Sequence, residues 1–310
     1  MDYNNPQELL DAYNNGLQGA TYDPKDMAEL LAQLPNPLFG DIGQNLFGTG
    51  KGALCLPYKA VQYFFPKFGE DEAQTTGDCV SHATRNAVDV TRCYEIVYKK
   101  EKEVFVARGA TEPIYGSRGH GGQGMQCSQA ARFVGVTGGF LLRENYTDIG
   151  VDLSKYNSKI GANWGSRGVP QNLIDKASNY RISNVTTIES VEEARDLLAN
   201  GYGLTVCSNV GFSNVRDKYG ISEPSGSWAH AMAWIAVDDT HERLNETLFL
   251  VQNSWGLWNS GPKYYDQPEG SFWIRQSVAA NMIAAGGAFA FADFKGFTRK
   301  ADWTKIMETF

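Results

Sequence analysis

The sequence predicts an α+β chain of two lobes, a helical N-terminal one and an antiparallel, β-barrel-like C-terminal one, with a cleft between them. Three observations carry this. Apolar residues recur at helical spacing after Cys79, and after Leu204 the pattern changes to short apolar runs separated by turns. The 310 residues, 42% of them hydrophobic, suffice for one large domain or two lobes of ordinary size.

Residues 1–54 read as an extension with short helices of its own. Pro6 with Glu8 to Tyr13 is one candidate, and Asp23 to Leu34 is another, with Asp23 as N-cap and Pro24 at the first helical position. Residues 35–52, rich in Gly, Pro and Asn, read as a linker that packs on something. Residues 55–170 form the expected helical lobe. Its clearest helix starts at Cys79 or Val80 and runs to about Lys100, on the spacing of Val80, Ala83, Ala87, Val88, Thr91, Tyr94 and Val97. Lysines gather at its C-terminal end, where the helix dipole favours them. A second helix is expected from Met125 to about Val134, after the glycine-rich stretch 119–124. Residues 171–310 form the expected β-rich lobe. A helix over Val191 to Asn200 opens with a capping box, Ser190 and Glu193. Strands follow at Leu204 to Cys207, Ala231 to Val237, Leu248 to Val251 and Ser271 to Ile274.

Composition excludes several function classes. Net charge is −7, and the one basic cluster, Lys99, Lys100 and Lys102, is interrupted by Glu101 and Glu103, so nucleic acid is not an expected partner. The longest apolar runs, such as Ala231 to Val237, are too short to span a bilayer, so no membrane partner is expected. The opening Met1-Asp2-Tyr3-Asn4-Asn5 does not resemble a secretion signal. The five cysteines (55, 79, 93, 127 and 207) are odd in number, widely spaced and without a Cys-x-x-Cys pair. They read as unpaired thiols in a reducing compartment, hence a cytoplasmic or virion-associated location. No metal or cofactor is expected, because His82, three residues after Cys79, has no further ligand at suitable spacing. His120 and His241 are expected on the surface.

Three segments carry chemistry. Gly77-Asp78-Cys79 places a cysteine at a helix start, where the dipole favours thiolate, although Asp78 adds a negative charge beside it. His230 opens an apolar strand among small residues. Asn253-Ser254-Trp255-Gly256 ends another, where the asparagine can accept the ring N–H of a histidine and the tryptophan can shield that bond. Each segment alone fits a buried structural residue better than a catalytic one. The order Cys, His, Asn on these element types is what points to a cysteine nucleophile.

These segments resemble the three signatures of the papain-like cysteine proteases, and the similarity extends over roughly residues 55–300. Leu56-Pro57 resembles the start of the mature domain, Glu144-Asn145-Tyr146 the Glu…Tyr stretch after the second helix, and 270–275 a later strand. The resemblance implies Cys79 as nucleophile, His230 as its base, Asn253 orienting the histidine and Gln74 as oxyanion donor. It implies that the Gly121–Gly122 backbone pairs with an extended polypeptide substrate, and that Trp255 covers the His–Asn contact. Trp228 becomes a candidate wall of the main specificity pocket.

The sequence departs from the family's pattern in several places. Val80 follows the nucleophile where the family has tryptophan, and Gln74 lies one residue closer to the cysteine than usual, which implies a reshaped oxyanion loop. A polar insertion, Asp238 to Thr247, is expected to form a longer hairpin away from the cleft, and the extension lacks the usual propeptide pattern. The leading expectation is a peptidase. The alternative is a papain-fold structural or interaction protein with little turnover, held in a viral particle or other large assembly through residues 1–54. A further expectation is that the extension runs through the cleft and blocks it.

Overall fold

In a computed structural model, which describes residues 19–70 and 72–294, the helix Cys79–Val97 is the axis on which the rest is assembled. It is buried on all sides except at its C-terminal turn. Small residues, Ala83 and Ala87, let neighbours approach it, and its buried charges are paired. Arg85 meets Glu72 at 2.6 Å, Arg92 meets Glu103 at 2.7 Å, and Asp89 accepts from Arg108 at 3.1 Å. Burying these charges is tolerable because each has a partner.

Eleven strands are described: β1 (Ala20–Thr21), β2 (Leu54–Cys55), β3 (Met125–Gln126), β4 (Asn145–Tyr146), β5 (Val151–Asp152), β6 (Ile182–Thr187), β7 (Leu204–Phe212), β8 (Pro224–Asp238), β9 (Leu248–Gln252), β10 (Ser271–Arg275) and β11 (Gly287–Phe294). Seven form one antiparallel sheet, in the order β10-β9-β8-β7-β11-β6 with β2 added beside β8. This hydrogen-bonded path is open, so among the described residues the barrel-like expectation reduces to a large open sheet. The helices Tyr58–Phe64 and Cys127–Arg132 pack on Cys79–Val97, while Val191–Ala199 and Gln276–Ile283 pack on the sheet, which gives the mixed α+β architecture. The long strand β8 places His230 opposite Ser208 and Ala231 opposite Cys207 on β7.

All four anticipated strands are present, each longer at one or both ends. Ser190 caps the helix Val191–Ala199 by accepting from Glu193 N, while the Glu193 carboxylate reaches back to Glu189 N rather than to the cap residue. Between β8 and β9, Thr240 donates to Asp238 at 2.6 Å and Thr247 donates to Asp239, which closes the polar connection. The helix expected from Met125 starts at Cys127, because Gly124 turns with φ +81° and Met125–Gln126 pair as a strand. It runs as α-helix to Arg132 and widens into a π turn to Thr137. Helices at Ser158–Arg167, Gln171–Ala177 and Gln276–Ile283, and strands β6 and β11, were not anticipated.

One expectation is overturned. Cys127 and Cys207 form a disulfide, with Cα atoms 6.3 Å apart and a sequence separation of 80. The fold, not local spacing, brings them together, so the cysteine pattern could not show the pair. Cys55, Cys79 and Cys93 are free thiols.

The early segments are fastened to both lobes. Asp23 caps the helix Pro24–Leu31 by accepting from Lys25 N at 2.9 Å, and Asp26 pairs with Arg132 at 2.6 Å. The helix ends three residues short of Leu34. Further on, Pro37 O accepts from Thr187 N at 2.9 Å, and the Asp196 carboxylate accepts from Gly48 N and Gly50 N at 2.6 and 3.0 Å. The linker is therefore bound to the sheet lobe. The candidate helix at residues 8–13 lies outside the described residues.

Candidate active site

Cys79 is the first residue of its helix, and the backbone reaches it through a tight turn in which Asp78 N donates to Thr76 O at 2.8 Å. Gln123 holds this turn: its Oε1 accepts from Gly77 N at 2.5 Å and from the Thr76 hydroxyl at 2.8 Å. Tyr156 holds it from the other side, donating to Asp78 Oδ2 at 2.8 Å and accepting from Thr75 N at 3.1 Å. Neither residue was singled out from the sequence, since both lie far from Cys79 in the chain.

The strand carrying His230 meets Cys79 directly. The N–H of Ala231, the residue after His230, donates to the Cys79 sulfur. His230 Nε2 lies 2.8 Å from Asn253 Oδ1, which also accepts from Ser254 N at 2.7 Å. An oxygen that accepts a backbone N–H must accept from His230 as well. Nε2 therefore carries the ring proton, and Nδ1 is the basic nitrogen. Trp255 lies over the imidazole, ring centroids 4.8 Å apart, and is almost fully buried, so water is kept from the His–Asn bond.

Electrostatics hold the pair neutral in this state. Burial pushes the Cys79 thiol up to about 12; the Asp78 charge adds to the rise, and N–H groups of Ala231 and Val80 oppose it. Burial pulls His230 down to about 4, helped by His82 and opposed by Asn253. At this helix start, desolvation outweighs the dipole.

The source of that burial is the chain itself. Gly19 N donates to Ala229 O at 3.1 Å, and Gly19 O accepts from Met125 N at 2.8 Å. β1 then runs parallel to β3, Ala20 opposite Met125 and Thr21 opposite Gln126. Residues 19–21 thus lie as an extended strand between the sheet lobe and the helical lobe, over Cys79. The fit demands glycine: a Cβ on Gly19 would stand 2.5 Å from Cys79 Sγ and 2.7 Å from the Gly77 carbonyl oxygen.

The remaining candidates are placed as follows. Gln74 is fully buried; its Nε2 donates to Thr76 O at 2.9 Å and its Oε1 accepts from Ser254 Oγ at 2.5 Å, so both ends of the amide are engaged. The strand pairing is made at Met125–Gln126, whereas Gly121 and Gly122 are exposed beside Ser166 and His120. Trp228 is buried against Phe212, Trp255 and Trp258 as part of the core beneath the histidine. His82, buried, lies 3.4 Å from Asp78 Oδ2, and His120 and His241 are exposed.

Comparison with known proteins follows the same line. No family model matches the chain, and no curated protein sequence does. Among solved structures, procathepsin B S9 of Trypanosoma congolense matches with a TM-score of 0.53 at 13% identity, covering 92% of this chain and 88% of that one. Xylellain, a cysteine protease of Xylella fastidiosa, matches at 0.48 and 14%, covering 88% and 91%. A digestive procathepsin L2 proteinase of Tenebrio molitor larval midgut matches at 0.49 and 14%, covering 93% and 91%. The chain has the α+β fold of the papain-like cysteine proteases.

Proposed function

We propose that the chain is a cysteine peptidase in which Cys79 attacks the peptide carbonyl, His230 Nδ1 moves the proton and Asn253 fixes the imidazole, and that residues 19–21 hold it in a resting state. The observation that carries this reading is the single hydrogen-bonded set running from Ser254 N through Asn253 Oδ1 to His230 Nε2, beside a cysteine over which an extended backbone already lies.

In the resting state the neutral thiol is a poor nucleophile, because the thiolate is the reactive form. Moving Gly19 away returns water to the site and relieves the desolvation that separates the two pKa values, so that proton transfer from Cys79 to His230 becomes favourable. The thiolate then adds to the carbonyl, and the imidazolium donates its proton to the leaving amine. The Cys79 backbone N–H faces the developing oxyanion. Gln74 joins it through the second N–H of its Nε2, the first being held by Thr76 O. Each such donor is worth about 3 kcal/mol. Peptide substrates then take the backbone bonds that Gly19 now makes, to Ala229 O and Met125 N, a recognition of main chain rather than side chain.

The test uses Gly19→Val in the full chain, treated with an epoxide-type thiol inhibitor and mapped by mass spectrometry. The valine cannot sit over the thiol, so Cys79 is expected to label selectively and faster than in the parent, with peptide cleavage that Cys79→Ala abolishes. If Cys79 in the Gly19→Val chain labels no faster than Cys55, and no peptide is cut, the peptidase reading fails and a papain-fold binding protein remains.

A further inference from the structure

One large cavity does not lie in the cleft. It has a volume of about 710 Å³ and sits in the helical lobe, behind the loop that leads to Cys79. That is the size of a pocket for a small organic molecule. One wall is aromatic: Phe64 and Phe105 stack with ring centroids 4.9 Å apart, with Phe65 beside them and the half-exposed Val106 on the lining. The lining is also cationic. Arg108, Arg143 and Lys155 line it against one acid, Glu72, on a chain whose net charge is −7. Arg143 is shared between Glu72 at 2.8 Å and Glu112 at 2.5 Å, and Arg108 is held by Asp89 and Asn86. Lys155 is exposed and makes no salt bridge among the described residues.

The floor of this cavity is tied to the nucleophile. Tyr156 lines the cavity, and its hydroxyl makes the two bonds to Asp78 and Thr75 described above. Glu72 and Ala73, also on the lining, precede Gln74 directly. A molecule pressing on Tyr156 therefore moves the residues on either side of the Thr76–Gly77 turn.

We propose that this cavity binds a small aromatic carboxylate, the ring between the Phe64–Phe105 stack and Tyr156 and the carboxylate on Lys155, and that occupancy is transmitted through the Tyr156 hydroxyl to the turn that positions Cys79. The site goes beyond the peptidase reading and is independent of it, since binding needs no turnover.

The probe is 2-naphthoate, titrated into the full chain by calorimetry, with 2-naphthamide as its uncharged counterpart. Saturable binding of the acid is expected, with the amide at least tenfold weaker and Lys155→Gln reducing acid binding to near the amide level. Val106→Trp, which fills the cavity without touching the turn, is expected to abolish binding. Alkylation of Cys79 by iodoacetamide is expected to change at least threefold on saturation. Tyr156→Phe, which keeps the ring and removes both hydroxyl bonds, is expected to bind the probe normally and lose that change. The proposal is overturned if naphthoate does not saturate at millimolar concentration, if amide and acid bind alike, or if Val106→Trp binds as the parent does. An alkylation response that survives Tyr156→Phe overturns the transmission route.

Discussion

Acidification is expected to loosen residues 19–21 from the cleft, and the size of the effect follows from His230. With the segment in place, burial holds the imidazole down to about 4, against about 6.5 for a solvated histidine. The closed form binds fewer protons than the open one between these two values, so its advantage is complete above about pH 6.5, declines as pH falls, and levels off near pH 4. For one such group, lowering pH from about 7 to about 5 costs the closed form about 2 kcal/mol, or roughly a thirtyfold rise in the open fraction. Cys79, pushed up to about 12, stays protonated in the closed form, and the measurement takes Cys79→Ala as its parent, because a thiol that passes its proton to His230 on opening would cancel the slope. The amides of Gly19 and Met125, both bonded across the segment, report the opening directly. Their hydrogen exchange, corrected for the intrinsic pH dependence, is expected to lose protection by about that factor in the parent and by much less in His230→Gln. Protection that stays flat between pH 7 and pH 5, or a slope unchanged in His230→Gln, would refute the reasoning.

Three further outcomes are expected. Asn253→Ala removes the acceptor that fixes the His230 tautomer; with a buried hydrogen bond worth about 1–3 kcal/mol, the Gly19→Val background should lose roughly tenfold to a hundredfold in kcat with little change in KM. Asp78→Asn removes the negative charge that helps raise the Cys79 pKa, so the pH midpoint of Cys79 alkylation in the same background should move down, and a midpoint that stays or rises would contradict it. Reducing the Cys127–Cys207 bridge reopens a span of 80 residues in the unfolded chain, which loop entropy values at up to about 4.5 kcal/mol; urea unfolding with and without a dithiol measures it, and an unchanged midpoint would show that the two thiols are not joined.

Much of the site was legible because its residues sit where local signals are strong. A cysteine opening a nineteen-residue helix, a histidine within an apolar strand and an asparagine at a strand end each belong to an element whose type the apolar spacing reveals. The parts that escaped depend on what the fold brings together. A two-residue strand such as β1 has no periodicity to read, and its partner β3 lies within a stretch that looks helical. Gly121–Gly122 and Met125–Gln126 are four residues apart, and only the pairing with Ala20 and Thr21 tells which of them meets an extended chain. Trp228 precedes the histidine and so looks like a pocket wall, yet its burial depends on Phe212 and Trp258, which sequence proximity does not reveal. Gln123 and Tyr156 hold the turn before Cys79 through bonds spanning 46 and 78 residues.

The fastening of the helix Pro24–Leu31 has a consequence for how the cleft can be freed. Two residues separate β1 from that helix, and Arg132 grips Asp26 at 2.6 Å. When β1 detaches, its end stays within a few residues' reach of the nucleophile. A short tether of this kind keeps the occupant at an effective concentration on the order of millimolar, so a peptide present at micromolar levels displaces it only by binding about a thousandfold more tightly. Full exposure of Cys79 then needs either a scission between Thr21 and Pro24, which turns an intramolecular occupant into one that can diffuse away, or a change that makes β1 itself a poor ligand.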